Sequence, residues 1–264
     1  MKKTFLITSF IALWTAFVLP AAHAVILDWD TVTWTPGSLV QSYDIDPSFA
    51  GNDIRITIGG DIGNLINGTP RLNNDLTGGI SPAEMALRLQ LNLPNRTNFV
   101  TVTIDFLNPV GVLLPTFSLF DIDTGTGSSP NFSFQDQIRN IQATFGPTSY
   151  SPTITGLGST VSQSGSTLTG IGSAANNTSN GSAMISFTSG PVTQIRFDYG
   201  GGPNSLANPA TQGIALSDIS FNNISGVPEI NAIWVAIVAL LLAALVRTLR
   251  QNQADRLVAR PAVE

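Results

Sequence analysis

Two aspartates one residue apart close an apolar run. In F-S-L-F-D-I-D, Asp121 and Asp123 fall on the same face of an extended chain. A glycine-rich loop, T-G-T-G-S-S-P, follows, and then Asp136 in Q-D-Q-I. Carboxylates this close repel one another, and a cation between them relieves the repulsion. The D-x-D spacing resembles the opening of a calcium loop, although the glycine and the distal glutamate of an EF-hand are missing. Asp218, in S-D-I-S-F, joins the set if its strand lies beside the D-I-D strand. Three chemistries fit these residues. Asp121, Asp123, Asp136 and Asp218 could hold a structural calcium. They could instead cap turns by accepting backbone hydrogen bonds, or two of them could form a catalytic acid pair.

The rest of the inventory narrows the choice. The only histidine is His23, the only lysines are Lys2 and Lys3, and there is no cysteine. Residues 25–226 therefore lack the bases and nucleophiles of serine–histidine, cysteine–histidine and Schiff-base chemistry, and the usual zinc ligands. Oxygen ligands remain, and they suit calcium or sugar hydroxyls. A glycosidase would need two carboxylates about 5 to 9.5 Å apart across a cleft, and Glu84 is the only glutamate in that stretch. Six arginines stand against thirteen aspartates and that one glutamate, so no basic surface large enough to hold nucleic acid is expected. Asp28, Asp30, Asp44 and Asp46 flank Trp29, Trp34, Tyr43 and Ile45. Exposed, those rings would stack on sugars; buried, they would be ordinary core. Asp198-Tyr199, ahead of G-G-G-P-N, is a second candidate polar rim.

The elements that must position these residues read as strands. Leu87, Leu89, Leu91 and Leu93 alternate with Arg88, Gln90 and Asn92. Val100, Val102, Ile104 and Phe106 alternate with Thr101, Thr103 and Asp105. A period of two marks half-buried strands. The link P-N-R-T-N predicts a hairpin turn joining these two. Similar runs recur near positions 53, 116, 182, 193 and 214, separated by Gly, Pro and Asn. S-P-A-E-M-A, from Ser81, predicts a single helical turn. Residues 146–181 are rich in Ser, Thr and Gly and carry no charge, which fits weak strands joined by loops or a glycosylated stalk. The fold class is all-β: an antiparallel sandwich, jelly-roll-like, over residues 25–225.

The two ends read as targeting. Met1-Lys2-Lys3, an apolar run to Pro20, and Ala22-His23-Ala24 have the layout of a secretory leader over residues 1–24, with Ala22 and Ala24 at the signal-peptidase positions. From Ala232 to Val246 the chain is apolar; with Ile230 and Leu249 it reaches about twenty residues, enough to cross a hydrocarbon core about 30 Å thick. Arg247 and Arg250 follow, so the positive-inside rule places residues 251–264 in the cytoplasm and the β domain outside it.

Val227-Pro228-Glu229, the apolar helix, and Arg247 and Arg250 together resemble the sorting signal of PEP-CTERM proteins, here in a V-P-E-I form over residues 226–250. The D-I-D strand, the Q-D-Q-I segment and G-I-A-L-S-D-I-S-F also resemble β-sandwich ectodomains found on such proteins. The resemblance implies export, insertion in the membrane, cleavage by an exosortase-like enzyme, and a place at the cell surface or in an exopolysaccharide-rich matrix. Its partners would be the membrane, signal peptidase, the processing enzyme and polysaccharide. The expected function is a surface or matrix protein without catalysis; the alternative is a calcium-dependent carbohydrate-binding module.

Overall fold

Alternating burial sorts the chain into strands that share one core. The computed structural model describes residues 22–224 and four later helical positions, Leu240, Leu241, Ala244 and Arg247. The first strands are β1 (Ala22–Leu27), β2 (Val40–Tyr43), β3 (Ile54–Gly60), β4 (Arg71–Asn73), β5 (Ala86–Leu91) and β6 (Phe99–Phe106). Next come β7 (Val112–Phe120), β8 (Asp136–Phe145), β9 (Thr148–Tyr150), β10 (Thr153–Thr155), β11 (Val161–Ser164) and β12 (Thr167–Gly170). The last are β13 (Ala183–Ser186), β14 (Gln194–Gly201), β15 (Gln212–Leu216) and β16 (Ile219–Ile224). Among the described residues of this unit, helix is confined to two three-residue 3-10 turns, Ile62–Asn64 and Ser179–Gly181.

The strands form two antiparallel eight-stranded sheets. In the first, β15 and β16 run one after the other along β7, interrupted at Ser217 and Asp218. The far edge of that broken strand is shared: β5 pairs with β15 and β1 pairs with β16. β13 lies on β7, and β10 on β13. The second sheet runs β11-β12-β8-β14-β6-β3-β2, with β9 also on β8. Leu87, Leu89 and Leu91 of β5 and Val100, Val102, Ile104 and Phe106 of β6 are at most 3% exposed, and both sets face one core. Burying each such side chain contributes about 1.5–3 kcal/mol.

Five expectations are settled by this arrangement. The all-β antiparallel sandwich is the fold. The hairpin between β5 and β6 is not: β5 belongs to the first sheet and β6 to the second, so residues 92–98 cross between sheets. The helical turn at Ser81 is absent too, because the Met85 N–H bonds Asp30 Oδ2 at 3.3 Å rather than a carbonyl one turn back. Trp29 and Trp34 are core, at 0% and 5% exposed, and meet edge to face with centroids 6.3 Å apart. Their indole nitrogens donate to the Ser217 and Ser38 carbonyls, so the rings are not a sugar platform. The uncharged 146–181 stretch forms short strands, β9 to β12.

The ends are described only in part. Ala22 and Ala24 stand in β1, opposite Ile224 and Asn222, so the expected leader-cleavage residues are rungs of the first sheet. Arg247 is helical and exposed, whereas Val227, Pro228, Glu229 and Arg250 lie outside the described residues. No helix among the described residues is long and apolar enough to cross a membrane.

Candidate functional site

β7 leaves the first sheet at Phe120, and Asp121, Ile122 and Asp123 carry the chain toward the start of β8 in the second. The Asp136 N–H donates to the Asp123 carbonyl at 2.9 Å, and the Asp123 N–H donates back to Asp136 Oδ2 at 3.2 Å. That exchange places three carboxylates at one end of the sandwich. Asp136 is fully buried and also accepts from the Tyr199 hydroxyl at 2.7 Å. Asp123 is 6% exposed and accepts from the Ala174 N–H at 2.8 Å. Asp121 is half-buried, has a left-handed backbone (φ 65°), and its carboxylate accepts no hydrogen bond. Gln212 lies beside the Tyr199 phenol, yet neither of its amide atoms closes a well-formed bond.

Burial governs the charge state here. It pushes Asp121 up to about 7, helped by the Asp123 charge and opposed by Arg88. It pushes Asp123 up to about 6 against the pull of the Ala174 N–H and Asp136. It carries Asp136 well above the carboxylate range, with Asp123 adding to the effect. Burial and their mutual charges therefore favour the protonated form of all three carboxyls. The bonds that Asp123 and Asp136 accept from the Ala174 and Asp123 N–H groups are the turn-capping contacts expected of such carboxylates. No three His, Cys, Asp or Glu side chains converge as a metal-binding set among the described residues.

Asp218 does not join them. It sits at the break between β15 and β16, where its Oδ1 accepts from the Trp29 N–H at 2.9 Å. Burial raises its pKa first, and the charges of Asp28, Glu84 and Asp30 add to the effect. In register, Ala215 faces Phe120 and Ser220 faces Thr116, so Asp218 is level with the middle of β7 and Asp121 lies past its end. The intervening rungs separate them by roughly 10 Å at about 3.4 Å per residue. Asp198 and Tyr199 are not a rim either, at 2% and 0% exposed. Asp198 accepts from Thr101 and Asn140, and Tyr199 faces the core.

The C-terminal end of β14, just past Tyr199, also forms an open groove. β14 closes with Gly200 and Gly201, and Gly202 follows. A Cβ on Gly200 would lie 2.4 Å from the Asn98 carbonyl oxygen, and one on Gly201 would lie 2.9 Å from Arg96 Cα. Bare glycines therefore let the 92–98 crossover rest on the strand end. That contact brings Arg96 and Thr97 beside Gln137 and Arg139 of β8, around a groove of about 320 Å³ floored by Gly201, Gly202 and Pro203. Arg96 Nη1 donates to the Pro203 and Ser205 carbonyls at 2.8 and 2.9 Å. The Arg139 guanidinium lies 4.4 Å from the centre of the Phe99 ring. Sequence reasoning did not find this site, because Arg96 and Arg139 are far apart in the chain and in no motif. The run G-G-G-P-N was its one local sign.

No family model and no curated protein matches the chain. Among solved structures it is similar to TmCBM61, solved in complex with β-1,4-galactotriose, at 8% identity and TM-score 0.30, over 64% of this chain and 88% of that one. It is also similar to a structure of the CBM32-1, CBM32-2 and M60 catalytic domains of ZmpB from Clostridium perfringens, at 12% identity and TM-score 0.25. That match covers 75% of this chain and 17% of the other.

Proposed function

We propose that this is an exported surface or matrix protein that holds polysaccharide and performs no catalysis. In this reading a leader over residues 1–24 exports the chain. The Val227-Pro228-Glu229 segment with its apolar helix fixes it in the membrane or presents it to an exosortase-like enzyme. The β-sandwich is the working part. The observation that carries the reading is the groove at the end of β14: an open, hydrogen-bonding trough lined by Arg96, Thr97, Gln137 and Arg139. A chain of sugar hydroxyls needs such a trough, and it needs no nucleophile. The missing histidine, lysine and cysteine in residues 25–226 agree with a binding role.

Purified residues 22–224, tested by affinity electrophoresis through gels containing soluble polysaccharides, should be retarded by at least one of them and release no reducing sugar. Migration unchanged in every gel would overturn the reading, as would sugar release. A calcium-dependent form has one observation in its favour, the Asp121 carboxylate that accepts no hydrogen bond. Retardation lost in EDTA and restored by calcium would select that form.

A further inference from the structure

We infer that the groove selects acidic polysaccharide, with the carboxylate of a uronate-type sugar seated between Arg96 and Arg139. The inference rests on the reading of the groove as a glycan site and adds the charge of its ligand. The domain is acidic, and three of its six arginines are matched, with Arg71 unmatched among the described residues but outside the groove. Arg55 pairs with Asp105 at 2.9 Å, Arg88 with Asp75 at 3.1 Å and Arg196 with Asp198 at 3.5 Å. Arg96 and Arg139 pair with no carboxylate among the described residues, although aspartates outnumber arginines two to one in this domain. Both line the same groove. Two unpaired cations around one groove repel, and an anion between them removes the repulsion.

Their positions suit a flat, two-oxygen anion. Arg96 is held by two carbonyls through Nη1 alone, so its plane is fixed while Nε and Nη2 keep their donors. Arg139 rests on the Phe99 ring and otherwise makes only a long 3.5 Å contact to the Thr97 carbonyl. A guanidinium offers donors and no acceptor, in a fork that matches a carboxylate. Arg96 is thus held before a ligand arrives, which lowers the entropy lost on binding. Neutral sugar hydroxyls would leave this donor excess unanswered.

The test compares residues 22–224 on polygalacturonate, dextran sulfate, neutral galactan and dextran at fixed ionic strength. Polygalacturonate should bind most tightly and weaken as salt rises. Arg139→Ala should weaken it about 10- to 100-fold, the loss of charge-assisted hydrogen bonds. Arg139→Lys should restore only part, since lysine lacks the fork. Arg196→Ala, on the same sheet but outside the groove, should bind as wild type, and thermal melts should show all three variants folded. Equal binding of neutral galactan, untouched by Arg139→Ala, would overturn the acidic selectivity and leave the glycan function standing. Tighter binding of dextran sulfate than polygalacturonate would overturn the carboxylate assignment. Binding of none of the four would overturn the acidic inference, and the broader glycan reading would fall only if its wider polysaccharide panel also failed.

Discussion

Asp121, at φ 65° and without a hydrogen bond, sets up an electrostatic conflict that Asp123 and Asp136 share. Burial is the largest cause of the raised pKa at all three. A carboxyl whose folded pKa lies above its unfolded value of 3.8 binds its proton more tightly when folded. Its stabilisation is full below 3.8 and is lost as pH rises through the folded value. With Asp123 at about 6 and Asp121 at about 7, that window is pH 4 to 8. Asp46 acts in the opposite sense, because hydrogen bonds from Ser48, Asn223 and His23 overcome its burial and hold it down to about 2. Its contribution is therefore lost only below pH 4. The melting temperature of residues 22–224 should fall as pH rises from 5 to 8. For a domain of this size each 1 kcal/mol corresponds to about 2–4 °C. Asp121→Asn keeps the shape, tolerates the left-handed backbone and removes the charge, so it should flatten the upper half of the curve. A wild-type melting temperature that climbs between pH 5 and 8 would refute this account of the buried carboxyls.

At the scale of elements, the crossover from β5 to β6 decides the groove. Alternation at Leu87, Leu89 and Leu91, and again at Val100, Val102 and Ile104, made both strands and their buried faces legible. It could not tell hairpin from crossover, because both sheets bury their inner faces in the same core and the period is identical in each. Seven residues, 92–98, reach easily across the roughly 10 Å between packed sheets. The acidic set was legible because Asp123 and Asp136 flank a single loop; Asp218 was misplaced because sequence does not show the stagger of β15 and β16 along β7. Arg96 and Arg139 were illegible because their meeting depends on that crossover. Gly201 is where this dependence can be tested. A Cβ there meets Arg96 Cα at 2.9 Å and the Arg96 carbonyl oxygen at 3.0 Å, both backbone atoms with little room to yield. Gly201→Ala should cost about 1–3 kcal/mol in urea denaturation. It should also weaken polysaccharide binding even though no arginine has changed. Wild-type stability and wild-type binding together would show that the crossover does not rest on this glycine.

At the scale of the whole molecule, the proposed export raises the question of which residues would remain after it. Cleavage after Ala24 would remove three rungs of β1, Ala22, His23 and Ala24, and the 2.7 Å contact from His23 to Asp46. The loss is bearable. Val25 and Leu27, the β1 residues that reach the core, stay opposite Phe221 and Ile219. Asp46 keeps its bonds from Ser48 and Asn223. A mature chain beginning at Val25 should therefore fold, with β1 shortened to Val25, Ile26 and Leu27. The other end turns on Val227-Pro228-Glu229, which processing would use as a label and a plain anchor would not. Intact-mass measurement of the protein recovered from its own cells reads both ends at once. Sorting predicts a chain from Val25 to about residue 228, and the same chain extended to Glu264 in cells lacking the processing enzyme. A mass ending at Glu264 in both strains would reduce the tail to a membrane anchor, and a retained Met1 would remove the leader from the account.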